Sequence, residues 1–310
     1  MKRLSVLTTL FFVCIVTIVA QQPETFIYAT RQDGELSIDL YRPSRGAEAK
    51  ACIVFVHGGG FSGGNRFADS TFLKTISSRG YAVISIEYRL GMKGVSGVGV
   101  FNTKPIENAI RMAVEDLYGA VNYAIVHASE FGIDSDRVVL CGSSAGAITV
   151  LQADYYLANG KNLARTLPEG FRFAGVISFA GAVFSREGSI KWRNKPAPTM
   201  MFHGNEDKLV VYEQTRLFRK GLFGSAALAR RFDKYDHPYK IVRYEGLGHE
   251  VAGFMLRNVD KMDEFIETYI LQKKFLQIDE MINDPSIPRD SHDFKPADLY
   301  KAGTKNHQQE

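Results

Sequence analysis

The feature that most constrains the fold is a serine between glycines, Gly142-Ser143-Ser144-Ala145-Gly146, which separates two apolar runs. The run before it, residues 137–140, is typical of a short buried strand, and residues 147–151 predict the start of a packed helix. Side chains at the two glycine positions would collide with the neighbouring strand and helix in so sharp a turn. Although such short patterns also arise by chance, this context predicts a nucleophile elbow, whose strained backbone exposes the hydroxyl of Ser144.

Buried strands alternate with helices along the chain. A hairpin comes first, with strands at 25–30 and 35–41 around the turn Asp33-Gly34. Apolar runs then predict further strands at 51–56, 81–86, 137–140, 173–179, 199–202 and 239–244. A long amphipathic helix is predicted from Ile106 to about Phe131, and a terminal helix from Phe254 to Leu276. The pattern predicts a mainly parallel eight-stranded sheet with helices on both faces.

Three of the remaining segments have less definite patterns. Gly91 to Pro105 is glycine-rich and is either a wall of the pocket or a surface loop. Gly221 to His237 is polar and is predicted to be irregular, after a short helix. The polar stretch 276–310 is predicted to be an extension that is loosely ordered or that wraps back over the domain.

The N-terminal residues 1–20 have the layout of a secretory signal peptide. Lys2 and Arg3 precede a mostly apolar run, which ends at Ala20. The alternative is a retained membrane anchor, but this run is short for a spanning helix, which needs about 20 apolar residues. We therefore expect cleavage near Ala20, export to the outside of the cell or the periplasm, and no membrane contact after cleavage. The segment before Cys14 fits a lipoprotein signal poorly.

Composition fits one globular domain, which we place at residues 21–275. The chain has 310 residues, 45% of them hydrophobic and 23% charged. Loss of Lys2 and Arg3 would lower the formal charge from +4 to +2, so nothing indicates a nucleic-acid partner. Cys52 and Cys141 would remain. Two buried thiols are favoured over a disulfide, although export would permit one.

Three polar motifs follow strands directly, where a parallel sheet gathers its functional groups at one edge. His57-Gly58-Gly59-Gly60-Phe61 follows the strand at 51–56. Consecutive glycines are costly to order, but they expose backbone N–H groups that can stabilise a developing negative oxygen. Asp207 follows the strand at 199–202, and His249 follows the strand at 239–244. Together with Ser144 they are candidates for nucleophilic catalysis.

On these motifs the chain resembles an α/β-hydrolase serine esterase, over about residues 25–275. Within that superfamily it is similar to the branch with a His-Gly-Gly-Gly loop, which includes hormone-sensitive-lipase-like and carbohydrate esterases. The resemblance implies that Ser144 is the nucleophile, His249 the general base and Asp207 the acid, in the chain order of this fold. Ser143 stands where many lipase-like relatives have an acidic residue, which favours the carbohydrate esterases.

The resemblance also assigns backbone donors and excludes a need for cofactors. Gly59, Gly60 and Ala145 match the donors of the oxyanion hole. No metal or other cofactor is implied, and His57 and His203 are expected to brace their own loops rather than bind a metal.

The function that follows is hydrolysis of short-chain or aryl acyl esters, with acetyl or feruloyl groups on polysaccharide as candidate substrates. A serine peptidase or a lipase of the same fold is the alternative among enzymes, and a non-catalytic binding protein is the alternative outside them. The connection between the strands at 173–179 and 199–202 is short and polar, which predicts a preference for short acyl groups. The sequence leaves the natural ester and the oligomeric state open.

Overall fold

The computed structural model describes residues 22–32, 34–43, 48–96, 99 and 101–289. The predicted signal peptide lies outside these residues, as does the part of the C-terminal extension after Arg289. Among the residues that are described, no helix has the length and apolarity that crossing a membrane would require.

The described residues form twelve strands and six α-helices. The strands are β1 (Glu24–Arg31), β2 (Gly34–Tyr41), β3 (Cys52–Val56), β4 (Ala82–Ile86), β5 (Val138–Ser143), β6 (Gly175–Phe179), β7 (Ala182–Ser185), β8 (Thr199–Gly204), β9 (Gln214–Leu217), β10 (Lys220–Gly224), β11 (Tyr239–Tyr244) and β12 (Gln277–Ile282). The helices are α1 (Ser70–Ser78), α2 (Lys104–Val126), α3 (Ala128–Phe131), α4 (Ala145–Ala158), α5 (Ser225–Lys234) and α6 (Val259–Phe265), which continues into a π-helical turn, Ile266–Leu271.

The main sheet confirms the α/β-hydrolase fold but is wider than predicted. In the described residues it has nine strands, in the order β1-β2-β4-β3-β5-β6-β8-β11-β12. From β4 to β12 neighbouring strands run parallel, and β1 and β2 add the predicted antiparallel hairpin at one edge. The prediction of eight strands was wrong because β12, at the other edge, comes from the polar segment after residue 275.

Helices cover both faces of the sheet, as predicted. Successive strand residues alternate between two apolar clusters, since side chains of a strand point to opposite faces. Val54 and Leu140 pack in the cluster with α2, α4 and α5, and Phe55 and Val139 pack in the cluster with α1 and α6. Strands buried on both faces fix the positions of the loops at their carboxyl ends.

A small second sheet was missed by the sequence analysis. Strands β7, β10 and β9 pair antiparallel, in that order. The side chain of Gln152 on α4 bonds both backbone groups of Phe184 in β7, at 3.1 and 2.8 Å. The prediction that Gly221 to His237 is irregular was therefore wrong, because it contains β10 and α5. The mixed, partly exposed sequence of β9 and β10 has too little apolar alternation to indicate strands.

The two predicted thiols are free and buried in the described chain. Cys52 lies in β3 and Cys141 in β5, both without solvent exposure. Burial raises the pKa of Cys52 to about 12, so this thiol stays protonated and acts as a small apolar side chain.

Candidate active site

The turn between β5 and α4 has the geometry of a nucleophile elbow. Ser144 has φ 51° and ψ −115°, a conformation that a residue other than glycine rarely adopts. A Cβ on Gly142 would lie 2.5 Å from the carbonyl carbon of Gly146, and one on Gly146 would lie 1.9 Å from the carbonyl oxygen of Val56. Both glycines are therefore required by close backbone approach. They allow α4 to start directly against β3, with Ser144 at its N-terminus.

The three residues predicted from different strand ends lie in one hydrogen-bonded chain. The Oγ of Ser144 is 2.9 Å from Nε2 of His249, and Nδ1 of His249 is 2.8 Å from Oδ2 of Asp207. Because a carboxylate only accepts hydrogen bonds, Nδ1 carries the proton and Nε2 accepts from the serine hydroxyl. This tautomer can take the proton of Ser144, so the arrangement can activate a serine nucleophile.

Of the two adjacent acidic residues, the structure brings Asp207 and not Glu206 to His249. Asp207 is buried, whereas Glu206 is exposed. The Oδ1 of Asp207 accepts the backbone N–H groups of Leu209 and Val210, at 2.9 and 3.0 Å. Burial by itself would raise the pKa of Asp207, but hydrogen bonds from His203 and His249 outweigh it and hold this pKa well below its usual value. The carboxylate is therefore charged at neutral pH.

The predicted oxyanion donors border the elbow. A Cβ on Gly58 would lie 3.4 Å from Cβ of Ser144, so the glycine loop passes directly beside the serine. Gly59 and Gly60 have φ of 110° and 61°, and a Cβ on Gly59 would lie 2.2 Å from the carbonyl oxygen of Gly63. Ala145 is the first residue of α4, where the N–H has no partner one turn back in the helix. Their role as donors stays a prediction.

His57 braces the glycine loop from inside. Its Nδ1 is 2.7 Å from the carbonyl oxygen of Gly58, and its ring stacks on Tyr88 at 4.5 Å between centroids. The hydroxyl of Tyr88 donates to the carbonyl oxygen of His57 at 3.0 Å. Burial lowers the pKa of His57, so this imidazole is neutral at neutral pH. The sequence analysis did not identify Tyr88, since an aromatic residue after a strand is usually a core residue.

The loops that carry Asp207 and His249 are also joined to each other. The N–H of Gly246 donates to Oδ1 of Asn205 at 2.7 Å. A Cβ on Gly246 would lie 2.7 Å from Cζ of Arg289, so the guanidinium of this residue packs against the histidine loop. Glycine and arginine at these positions gave no signal in the sequence, because their contacts join segments that are distant along the chain.

No metal site accompanies this arrangement in the described part of the chain, which contains no group of three or more His, Cys, Asp or Glu side chains placed to hold an ion. His203 and His57 bond instead to neighbouring loop atoms.

Comparison with known proteins agrees with the fold. The BD-FAE family model matches residues 38–183, which include the glycine loop and the elbow. A probable isoprenylcysteine alpha-carbonyl methylesterase of Arabidopsis thaliana is 24% identical over 76% of this chain and 53% of its own. Human hormone-sensitive lipase is 28% identical over 41% of this chain and 11% of its own. The chain thus spans about half the length, or less, of these relatives.

A solved structure shows the same fold over most of the chain. The propionate-bound esterase Est2 of Thermogutta terrifontis superposes with a TM-score of 0.60, covering 83% of this chain and 97% of the esterase, at 21% identity. The match extends well beyond the segment that the family model covers. The chain has the α/β-hydrolase fold, and its sequence is similar to parts of hormone-sensitive-lipase-like esterases.

Proposed function

We propose that this protein is a serine carboxylic ester hydrolase that acts on esters of short or aryl acids, including acetyl or feruloyl groups on polysaccharide. The observation that carries the proposal is the hydrogen-bonded chain from Ser144 through His249 to Asp207, which lies beside a loop of consecutive glycines. A binding protein on this fold would have no need for a strained serine aligned with an imidazole and a buried carboxylate.

The proposed reaction proceeds through an acyl-enzyme. Ser144 transfers its proton to Nε2 of His249 while its Oγ attacks the ester carbonyl carbon, and the carbonyl oxygen becomes an oxyanion. Backbone N–H groups of the glycine loop and of Ala145 stabilise that charge. His249 then protonates the leaving alcohol. Water, deprotonated by the same imidazole, attacks the acyl-enzyme and releases the acid. Asp207 orients the imidazole and stabilises its cation.

The connection between β6 and β8 supports a short acyl group. Residues 180–198, all described, contain β7 and no α-helix that could wall a deep apolar tunnel. Burial of each methylene of an acyl chain against apolar residues stabilises binding by about 0.8 kcal/mol, and a wall of polar residues provides little of this stabilisation. The esterase of Thermogutta terrifontis has been solved with propionate and with butyrate bound, both short acids.

We further propose that the mature protein is secreted or periplasmic. Support comes from residues 1–20, whose basic start and short apolar run fit a cleaved signal peptide. Sequencing of the N-terminus of protein recovered outside the cytoplasm tests this. A chain that begins near Gln21 is expected, whereas an intact N-terminus would contradict the proposal.

Labelling with a fluorophosphonate probe and an ester panel test the activity. We expect the probe to label Ser144 and the Ser144→Ala variant to lose about a thousandfold or more of its ester hydrolysis, while it stays folded. Ser143→Ala is the matched control, because it removes the neighbouring hydroxyl and leaves the proposed nucleophile. An inactive Ser143→Ala protein together with an active Ser144→Ala protein would overturn the assignment.

The panel compares acetylated xylan, methyl ferulate, peptides and nitrophenyl esters from acetate to palmitate. We expect the highest kcat/KM among the short or aryl esters. A maximum at eight carbons or more would indicate a lipase, and cleavage of peptides alone would indicate a peptidase. Absence of any turnover and of any labelling would favour the binding protein.

A further inference from the structure

We infer that His203, held by Ser225, is a positioning residue that fixes the carboxylate of Asp207 for its bond to His249. The inference rests on the proposed function, since it concerns the same hydrogen-bonded chain. His203 is buried and does not touch the substrate site, and the inference gives it a role beyond bracing its own loop.

His203 is a second imidazole in contact with the carboxylate of Asp207. It is the penultimate residue of β8, without solvent exposure. Its Nε2 is 3.2 Å from Oδ2 of Asp207 and 2.9 Å from the carbonyl oxygen of Val210. Because both neighbours only accept hydrogen bonds when Asp207 is ionised, Nε2 carries a proton that the two oxygens share.

Ser225 bonds the ring of His203 from its other side. Its Oγ is 2.8 Å from Nδ1 of His203, and the residue is fully buried at the first position of α5. With Nε2 protonated, the neutral imidazole accepts the hydroxyl proton of Ser225 at Nδ1. The edge-on ring of Tyr212, 5.5 Å away between centroids, restricts rotation of the imidazole.

The result is a carboxylate held on both of its oxygens. Oδ2 of Asp207 accepts from His249 and from His203, while Oδ1 accepts the two backbone N–H groups of its own loop. Without His203, Oδ2 would keep only the bond from His249, which is the imidazole that Asp207 orients. Burial by itself would raise the pKa of Asp207. The hydrogen bonds lower it, that from His203 first among them, and the resulting low pKa agrees with this geometry.

The test replaces His203 by two side chains of similar reach. The amide of His203→Gln can donate to Asp207 from nearly the position of Nε2, whereas His203→Met fills the space without a donor. For nitrophenyl acetate, we expect the methionine variant to lose about 10- to 100-fold in kcat with KM unchanged, as for outer hydrogen-bond partners of other functional side chains. The glutamine variant should keep kcat within about threefold of wild type.

Another buried histidine provides the control for general loss of stability. His237 packs against Trp192, with 5.4 Å between ring centroids, and takes no part in the proposed chain. His237→Gln should lower Tm without a fall in kcat. If the methionine variant fails to fold, Ser225→Ala and Ser225→Thr replace it, with kcat expected to fall for alanine and to stay near wild type for threonine.

The outcomes separate this inference from the proposed function. Equal losses in the glutamine and methionine variants, or wild-type kcat in the methionine variant, would overturn the positioning role. The same holds for wild-type kcat in Ser225→Ala where that variant is used. An inactive wild-type protein whose Ser144 does not react with a fluorophosphonate would instead overturn the proposed function.

Discussion

The serine side and the acid–histidine side of the site are supported by different kinds of contact. Ser144 is held by glycines within two residues of it, which pack against Val56 of β3, and by its backbone N–H, which donates to the carbonyl oxygen of Phe179 in β6 at 2.9 Å. Asp207 and His249 depend on Ser225 at the start of α5, on Asn205, and on Arg289 beyond the last strand. The first side is set by close backbone packing, and the second is assembled mainly from side-chain contacts in the folded protein.

The difference shows in the character of the supporting contacts. On the serine side they are close approaches between backbone atoms, which leave no room for a side chain at Gly142 or Gly146. On the other side they are mainly hydrogen bonds and apolar contacts of side chains. We therefore expect side chains added at Gly142 or Gly146 to disturb folding, and substitutions of the polar side chains on the acid–histidine side to affect turnover before stability.

The largest effect is expected from the carboxylate itself. Asp207→Asn should lower kcat by about a thousand- to ten-thousandfold, because an amide can stabilise the wrong tautomer of His249 and cannot stabilise its cation. Glu206→Gln is the matched control, since this neighbour is exposed, whereas the carboxylate 2.8 Å from Nδ1 of His249 belongs to Asp207. Comparable losses in the two variants would move the acid's role away from Asp207.

The sequence predicted the serine side more completely because glycine patterns carry steric information. The elbow, the glycine loop and the buried strands β3, β5 and β6 all lie where the apolar runs and the glycines indicated. Asp207 and His249 were found by resemblance and by their places after strands. Ser225 and Arg289 could not be found, because a serine and an arginine alone do not indicate which distant segment they contact.

The last strand shows why the extent of the sheet was harder to predict. In β12 the only strongly apolar residues are Ile278, Met281 and Ile282, mixed with charged ones. Its carboxylates form ion pairs with basic residues of neighbouring segments: Asp279 pairs with Arg243, and Glu280 with Lys261. Charged side chains are common on edge strands, where they protect an open edge from association, so such a strand resembles a polar tail in the sequence.

A steric change on the serine side should be next in size. Gly146→Ala would place a Cβ 1.9 Å from the carbonyl oxygen of Val56, so α4 would have to move away from β3. We expect a loss of about 3 kcal/mol or more in the free energy of unfolding, together with loss of activity. Urea titration measures this, with Gly253→Ala as control, because a Cβ there meets nothing within 4 Å. Equal midpoints for the two variants would contradict the steric account.

The C-terminal segment offers a milder test of the acid–histidine side. Ile287 is 5% exposed and packs in the same cluster as Leu247 and Val251, which flank His249. Ile287→Ala should cost about 2 kcal/mol of stability and also lower kcat, since the histidine loop loses its apolar support. Met281→Ala, at an exposed position of β12, should change neither. A stability loss without any change in kcat would show that this segment supports the fold alone.

The smallest effect should come from a buried carboxyl on the serine side that contrasts with Asp207. Asp154 lies on α4 and is 7% exposed, and its oxygens accept only the distant N–H of Ala197, at 3.2 and 3.3 Å. Burial therefore raises the pKa of Asp154 to about 7, whereas hydrogen bonds from two imidazoles hold the pKa of Asp207 low. The two carboxyls make opposite contributions to the pH dependence of stability.

The sign for Asp154 follows from its raised pKa. Between about pH 4, where the carboxyl of the unfolded chain titrates, and about pH 7, the native state holds a proton that the unfolded state has lost. This contribution to stability is fully present below that window and is lost as the pH rises through it.

Asp154→Asn keeps an acceptor for Ala197 but cannot ionise. Its stability should match wild type near pH 4 and exceed it at pH 8, measured by urea titration at both pH values. An advantage that is the same at both pH values would indicate packing rather than ionisation as its source.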